Sequence, residues 1–141
     1  MLFLGRHDYS MDERGRIPMP PRYREALMHG IVLTEGTPDR CLRAYPMDEF
    51  EKAAANYMSS PITTAEGRLL RRNFFSAAHD TELDRQGRVL IPANLRGFAG
   101  LNGQVVISGA AEAIEIWDAA TYATKLAEEE AAYRQTLGAE E

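Results

Sequence analysis

The feature that most constrains this chain is that it repeats itself. Sliding the 141-residue sequence along itself by 72 positions pairs His7 with His79, Asp8 with Asp80, Asp12 with Asp84, Gly15 with Gly87, Arg16 with Arg88, Pro20 with Pro92 and Arg24 with Arg96, seven identities within eighteen positions. The sites between them keep their character: Met11 with Leu83, Ile17 with Val89, Met19 with Ile91 and Tyr23 with Leu95. Further on, Tyr45 falls on Trp117 and Phe50 on Tyr122. Solenoid repeats have periods of about 20 to 50 residues, so a spacing this long marks a duplicated subdomain. The chain reads as two related half-units in tandem.

Each half has the same local logic. A short strand runs into a turn, Asp12-Glu13-Arg14-Gly15 or Asp84-Arg85-Gln86-Gly87, and an alternating apolar strand leaves it, Arg16 to Met19 or Arg88 to Ile91. Asp at the start and Gly at the end suit a type I turn closed by a positive-φ residue, which predicts a three- or four-residue β-hairpin loop. Pro20-Pro21 and Pro92 stop the strands and open a helix, where a missing N–H costs nothing; the first helix is expected over Pro21 to His29, ending at Gly30. Two strands follow in each half, Ile31 to Glu35 with Leu42 to Tyr45, and Gln104 to Ser108 with Ile114 to Trp117. Their turns are expected at Gly36-Thr37-Pro38-Asp39 and Gly109-Ala110-Ala111. A helix closes each half, from Pro46 or Met47 to about Met58 and from Asp118, as N-cap, to about Leu137. Thr63 and Glu66 have capping-box spacing for one further helix through Phe74, although Gly67 weakens it. The expected organisation is a first subdomain over 1–58, a linker with a connecting helix over 59–75, a second subdomain over 76–137 and a frayed tail over 138–141.

Charge is distributed unevenly. Sixteen Lys and Arg face 21 Asp and Glu, a net charge of −5, which is not the usual balance of a nucleic-acid binder. Residues 111–141 alone hold two bases against eight acids, so the rest of the chain is almost neutral. Fourteen of the sixteen basic residues are Arg, the side chain suited to meeting phosphates, carboxylates or base edges with a planar fork. Glu128-Glu129-Glu130 reads as a solvated face of the last helix. No run of about 18 apolar residues occurs, and Met1-Leu2-Phe3-Leu4 is too short for a signal peptide's apolar core. With Cys41 alone, no intrachain disulfide forms, in keeping with a reducing cytoplasm.

Few residues invite catalysis. His7-Asp8 and His79-Asp80 hint at a metal-dependent phosphohydrolase, but only His29 remains as a further His, and each pair sits on its own half's strand. Such a centre needs several converging ligands. Cys41 reads as a small buried hydrophobe. No phosphate loop, Ser-centred elbow or zinc spacing is present, so no active site, metal or cofactor is expected. The distinctive element is the doubled Asp-x-x-Gly-Arg. Asp12 with Arg16 and Asp84 with Arg88 either fasten the turns as ion pairs or orient each Arg toward a partner, and both roles are compatible.

These residues carry a resemblance. Asp12-Glu13-Arg14-Gly15-Arg16-Ile17-Pro18-Met19-Pro20-Pro21-Arg22-Tyr23-Arg24-Glu25, with Asp84 to Pro92, Leu95-Arg96 and Ile114-Glu115-Ile116-Trp117-Asp118, resembles the MraZ family of bacterial transcriptional regulators, over Phe3 to about Glu130. One copy of the motif would suggest only an AbrB-like swapped-hairpin domain. The resemblance implies an α+β, mainly β fold of two AbrB-like swapped-hairpin half-barrels related by a pseudo-twofold. It also implies rings of about eight to twelve subunits. Such rings bind double-stranded DNA at short G-rich direct repeats upstream of their own gene, repressing the division and cell-wall cluster from within the cytoplasm and nucleoid.

Carried onto this sequence, Arg16 would read guanine through O6 and N7, and Arg14, Arg22 and Arg24 would contact phosphates. The second copy departs from the pattern, with Gln86 before Gly87 and Asn94 opposite Arg22, leaving Arg85, Arg88 and Arg96. Arg16 is therefore expected to dominate and Arg88 to lean toward packing or subunit contacts. The acidic last helix is expected to face away from DNA. The alternative is an antitoxin-like or scaffold ring whose main partner is protein.

Overall fold

The computed structural model describes residues 2–140, with side chains through Gly138. Eight strands and five helices follow in order. The first half contains β1 (Arg6–Ser10), β2 (Arg16–Pro18), α1 (Pro21–Leu27), β3 (Ile31–Glu35), β4 (Leu42–Pro46) and α2 (Met47–Met58). The connecting helix α3 (Ala65–Ala77) leads to β5 (His79–Thr81), β6 (Arg88–Leu90), α4 (Ala93–Ala99), β7 (Gln104–Ala110), β8 (Ala113–Asp118) and α5 (Ala119–Glu140).

The two halves share their sheets. Six strands form one antiparallel sheet in the order β1-β7-β8-β4-β3-β5, and β2 pairs with β6 in a separate ribbon. Exchanging each strand for its repeat mate reverses the six-strand order onto itself, which is a pseudo-twofold axis written in topology. Register locates the axis: the central pair of β2 and β6 is Ile17 with Val89, and that of β4 and β8 is Arg43 with Glu115. Both pairs are 72 residues apart. The α+β class and the two related halves expected from sequence are found, but the halves are not closed off from one another, because one open six-stranded sheet takes strands from both.

The hairpin expected between β1 and β2 is a turn without a ladder. β1 pairs with β7 of the other half, and β5 with β3. Turn chemistry is local and readable, whereas each strand's partner is decided by which apolar face it completes.

Alternation along the strands divides the molecule into three layers. Ile31, Leu33, Leu42, Ala44, Val105, Ile107, Ile114 and Ile116 face a core shared with Ile17 and Val89 of the ribbon, Tyr23 and Leu27 of α1, and Leu95 and Ala99 of α4. The opposite face of the sheet carries Cys41, Val106 and Trp117, against which Tyr122 of α5 packs. On that same side Phe50 of α2 meets Tyr45 edge-on at 6.0 Å and stacks on Phe74 of α3 at 5.6 Å. The repeat holds here too, because Trp117 and Tyr122 make the equivalent edge-on pair at 5.5 Å. The acidic α5 thus lies across the sheet from the ribbon.

Several boundaries differ from expectation. The cap of α3 is Thr64, whose hydroxyl accepts from the Gly67 N–H at 2.9 Å, rather than Thr63. The helix also extends two residues past 75. The second strand turn is tighter than Gly109-Ala110-Ala111: β7 continues to Ala110, which pairs with Ala113, leaving Ala111-Glu112 as the loop with Ala111 at φ 66°. Asp118 caps α5 as expected, accepting from the Thr121 N–H at 3.1 Å. The last helix runs through Gly138 to Glu140, where a frayed tail is expected, and Glu141 lies outside the described residues.

Candidate nucleic-acid interface

The two Asp-x-x-Gly-Arg turns flank the β2–β6 ribbon and share one backbone design. In the first, the Asp12 N–H donates to Arg16 O at 3.0 Å and the Gly15 N–H to Asp12 O at 3.0 Å. In the second, Asp84 donates to Arg88 O at 2.8 Å and Gly87 to Asp84 O at 3.0 Å. Gly15 and Gly87 sit at φ 84° and 77°, a region that residues with a Cβ enter at a steric cost.

Each Asp organises its own turn. Asp12 Oδ1 accepts from the N–H groups of Arg14 and Arg16, both at 2.9 Å, and Oδ2 accepts from Arg16 Nε at 2.8 Å. Asp84 repeats this with Gln86 and Arg88 at 2.9 Å, and with Arg88 Nε at 3.0 Å. Backbone donation from Arg16, reinforced by its guanidinium and the Arg14 N–H, holds the Asp12 carboxyl below the usual carboxylate range. Donation from Arg88 and Gln86 does the same for Asp84. The carboxylates therefore stay ionised and fix each Arg by its Nε edge, which leaves the terminal nitrogens of Arg16 to meet an acceptor, while Arg88 Nη1 lies 3.7 Å from Asp12 Oδ2.

The ribbon turns these arginines outward. Ile17 and Val89 are fully buried, so Arg16, Pro18, Arg88 and Leu90 share the opposite face. The halves differ at this face. Among the described residues Arg16 is paired with Asp12, whereas Arg88 is paired with Asp84 and also reaches Asp12 at 3.7 Å across the pseudo-twofold.

The remaining predicted arginines fall into two groups. Arg14 and Arg85 are exposed in the turns, and Arg22 is exposed on α1. Arg24 and Arg96 instead lie against the opposite half's turn. A Cβ on Gly15 would come 2.7 Å from Arg96 Nη1, and one on Gly87 would overlap the Arg24 guanidinium. Arg24 Nε donates to Met19 O at 3.0 Å, while Arg96 Nε is buried with no hydrogen-bond partner among the described residues. These two arginines therefore press on the halves' joint, a position invisible without the strand exchange. The repeated motif assigns no binding role to Pro18 or Leu90. The period-two alternation with buried Val89 and Ile91 is the signal that places Leu90 outward.

Neither alternative chemistry gains a site. His7 and His79 lie on β1 and β5, opposite edges of the sheet, and the His7 ring packs edge-on to Tyr23 at 5.3 Å. Among the described residues no three His, Cys, Asp or Glu side chains gather to hold a metal. Cys41 is fully buried, and that burial pushes its thiol up to about 12, far from thiolate chemistry at neutral pH. Among the described residues, no helix is long and apolar enough to cross a membrane.

Two interlocked halves with a basic ribbon on their axis define a fused swapped-hairpin protein. The family description "MraZ protein, putative antitoxin-like" matches residues 2–73 and 74–138. Among relatives, the chain is 44% identical to the "Transcriptional regulator MraZ" of Thermobifida fusca, over 95% of this chain and 93% of that protein. It is 39% identical to that of Dehalococcoides mccartyi, over 94% of each. A third, from Roseiflexus castenholzii, is 47% identical over 82% of this chain and 80% of its own length. The chain belongs to the MraZ family, a family of transcriptional regulators and not of enzymes.

Proposed function

We infer that the chain is a sequence-specific DNA-binding regulator that places its β2–β6 ribbon in the major groove. It acts on short G-rich direct repeats upstream of its own gene, repressing the division and cell-wall cluster from the nucleoid. The observation that carries this reading is the pair Arg16 and Arg88, held by Asp12 and Asp84 on the outward face of a two-stranded ribbon. A major groove admits such a ribbon, and Arg is the commonest reader of guanine there. Arg14, Arg22 and Arg85, exposed around it, supply phosphate contacts that set position.

A net charge of −5 limits the attraction of one subunit for DNA. The placement of α5 across the sheet keeps its acids off the ribbon, and a ring of about eight to twelve subunits on repeated boxes adds avidity without new contacts. The test is fluorescence anisotropy of the protein on DNA from upstream of its gene and on scrambled DNA, at two salt concentrations. Preference for the upstream fragment with affinity falling steeply in salt is the expected result. Equal, weak binding to both would favour a second reading, an antitoxin-like or scaffold ring with a protein partner, to which the acidic balance and the family description lend support.

A further inference from the structure

We propose that Leu90 reads the C5-methyl group of a thymine adjacent to the base pair contacted by Arg16. The inference rests on the reading of the ribbon as a DNA face and adds a second specificity element to it. Leu90 lies between fully buried Val89 and Ile91, and is itself 51% exposed. Strand alternation thus puts a large apolar side chain in water on the face that carries Arg16 and Arg88. A lone exposed leucine among charges is too small for a protein-docking patch, but it matches a single methyl group.

Register fixes its neighbour. The Ile91 N–H donates to Gly15 O and the Met19 N–H to Gly87 O, both at 2.9 Å. These bonds bracket the ribbon and make Arg16 with Leu90, and Pro18 with Arg88, the close pairs in which facing Cα atoms stand about 4.5 Å apart. Stacked base pairs are spaced by about 3.4 Å. Side chains this close, entering one groove together, fall on the same or the neighbouring base pair. Thymine alone among the four bases presents an apolar group in the major groove. The pseudo-twofold mate of Leu90 is Pro18, which is smaller and half-buried, so the methyl contact belongs to the Arg16 side of the ribbon. The face as a whole therefore reads an asymmetric step, guanine beside thymine.

The experiment replaces each thymine of the upstream duplex in turn by deoxyuridine, which removes the methyl group and nothing else, and measures anisotropy with wild-type protein and Leu90→Ala. Losing one buried methyl is worth about 0.8 kcal/mol, or about fourfold in affinity. The wild type is expected to lose about fourfold at one thymine beside an essential guanine. Leu90→Ala is expected to bind the thymine and uracil duplexes equally, with its salt dependence unchanged. Loss at that position persisting in Leu90→Ala would overturn the assignment. So would a wild type indifferent to every uracil while still preferring the upstream sequence, which would leave the DNA-binding reading intact. No preference for upstream over scrambled DNA would overturn both.

Discussion

The two Asp-x-x-Gly-Arg turns share a backbone and differ in what they present. Their hydrogen bonds match atom for atom, their glycines sit within ten degrees of each other in φ, and each is pressed by an Arg from the opposite half. Outward, the first offers Arg14 and an Arg16 tied to one carboxylate, while the second offers Gln86 and an Arg88 tied to two. Duplication thus preserves the scaffold, which both halves need in order to interlock, and frees the outer face to diverge. A pseudo-symmetric frame carrying an asymmetric surface suits a target with a direction.

The scaffold side of this comparison predicts equal losses, and they are the largest. Gly15→Ala and Gly87→Ala each force a Cβ into a positive-φ position and against Arg96 or Arg24. Each should cost about 1–3 kcal/mol of stability. Denaturant midpoints should fall by similar amounts with unchanged slopes; a large difference between the two would break the equivalence of the turns.

Arg24→Ala and Arg96→Ala sharpen it next. Arg24 supplies a bond to Met19 O that Arg96 does not supply to its counterpart. Thermal unfolding should therefore show a loss of about 1 kcal/mol for Arg24→Ala beyond that for Arg96→Ala.

Acid stability tests the carboxylates. The folded-state carboxyls of Asp12 and Asp84 titrate below their ordinary value of 3.8. Their stabilisation is therefore fully present above that value and is lost as pH falls through the folded values. Denaturation midpoints should be flat above about pH 5 and fall below about pH 4, and Asp12→Asn with Asp84→Asn should make the acid limb shallower. An unchanged limb in the double variant would remove the turns as its origin.

The smallest effects belong to the peripheral arginines. Arg14→Ala and Arg22→Ala should weaken binding to upstream and scrambled DNA alike and reduce the salt slope by about one each. A change in sequence preference would mean that they touch bases.

Much of this was legible in the sequence because it is local or repeated. Asp and Gly spacing marks the turns, proline the starts of α1 and α4, and alternation the strands around Ile31 to Glu35 and Ile114 to Trp117. What escaped is non-local. Nothing within Arg6 to Pro18 says that β1 will leave β2 for β7, and without that exchange Arg24 and Arg96 read as free side chains. The capping-box spacing points to Thr63 through Glu66, whereas the cap is the adjacent Thr64, one residue on. Of the candidate site, Asp12, Arg16, Asp84 and Arg88 are visible as a motif, while the outward apolar Leu90 needs the register to give it a neighbour.

The most direct test compares Arg16→Ala with Arg88→Ala by anisotropy on upstream and scrambled DNA, with light scattering to confirm that assembly is unchanged. Arg16→Ala is expected to bind both duplexes equally, losing about tenfold or more on the upstream one, while Arg88→Ala keeps its preference at somewhat lower affinity. Preference surviving in Arg16→Ala and vanishing in an equally assembled Arg88→Ala would contradict this ordering.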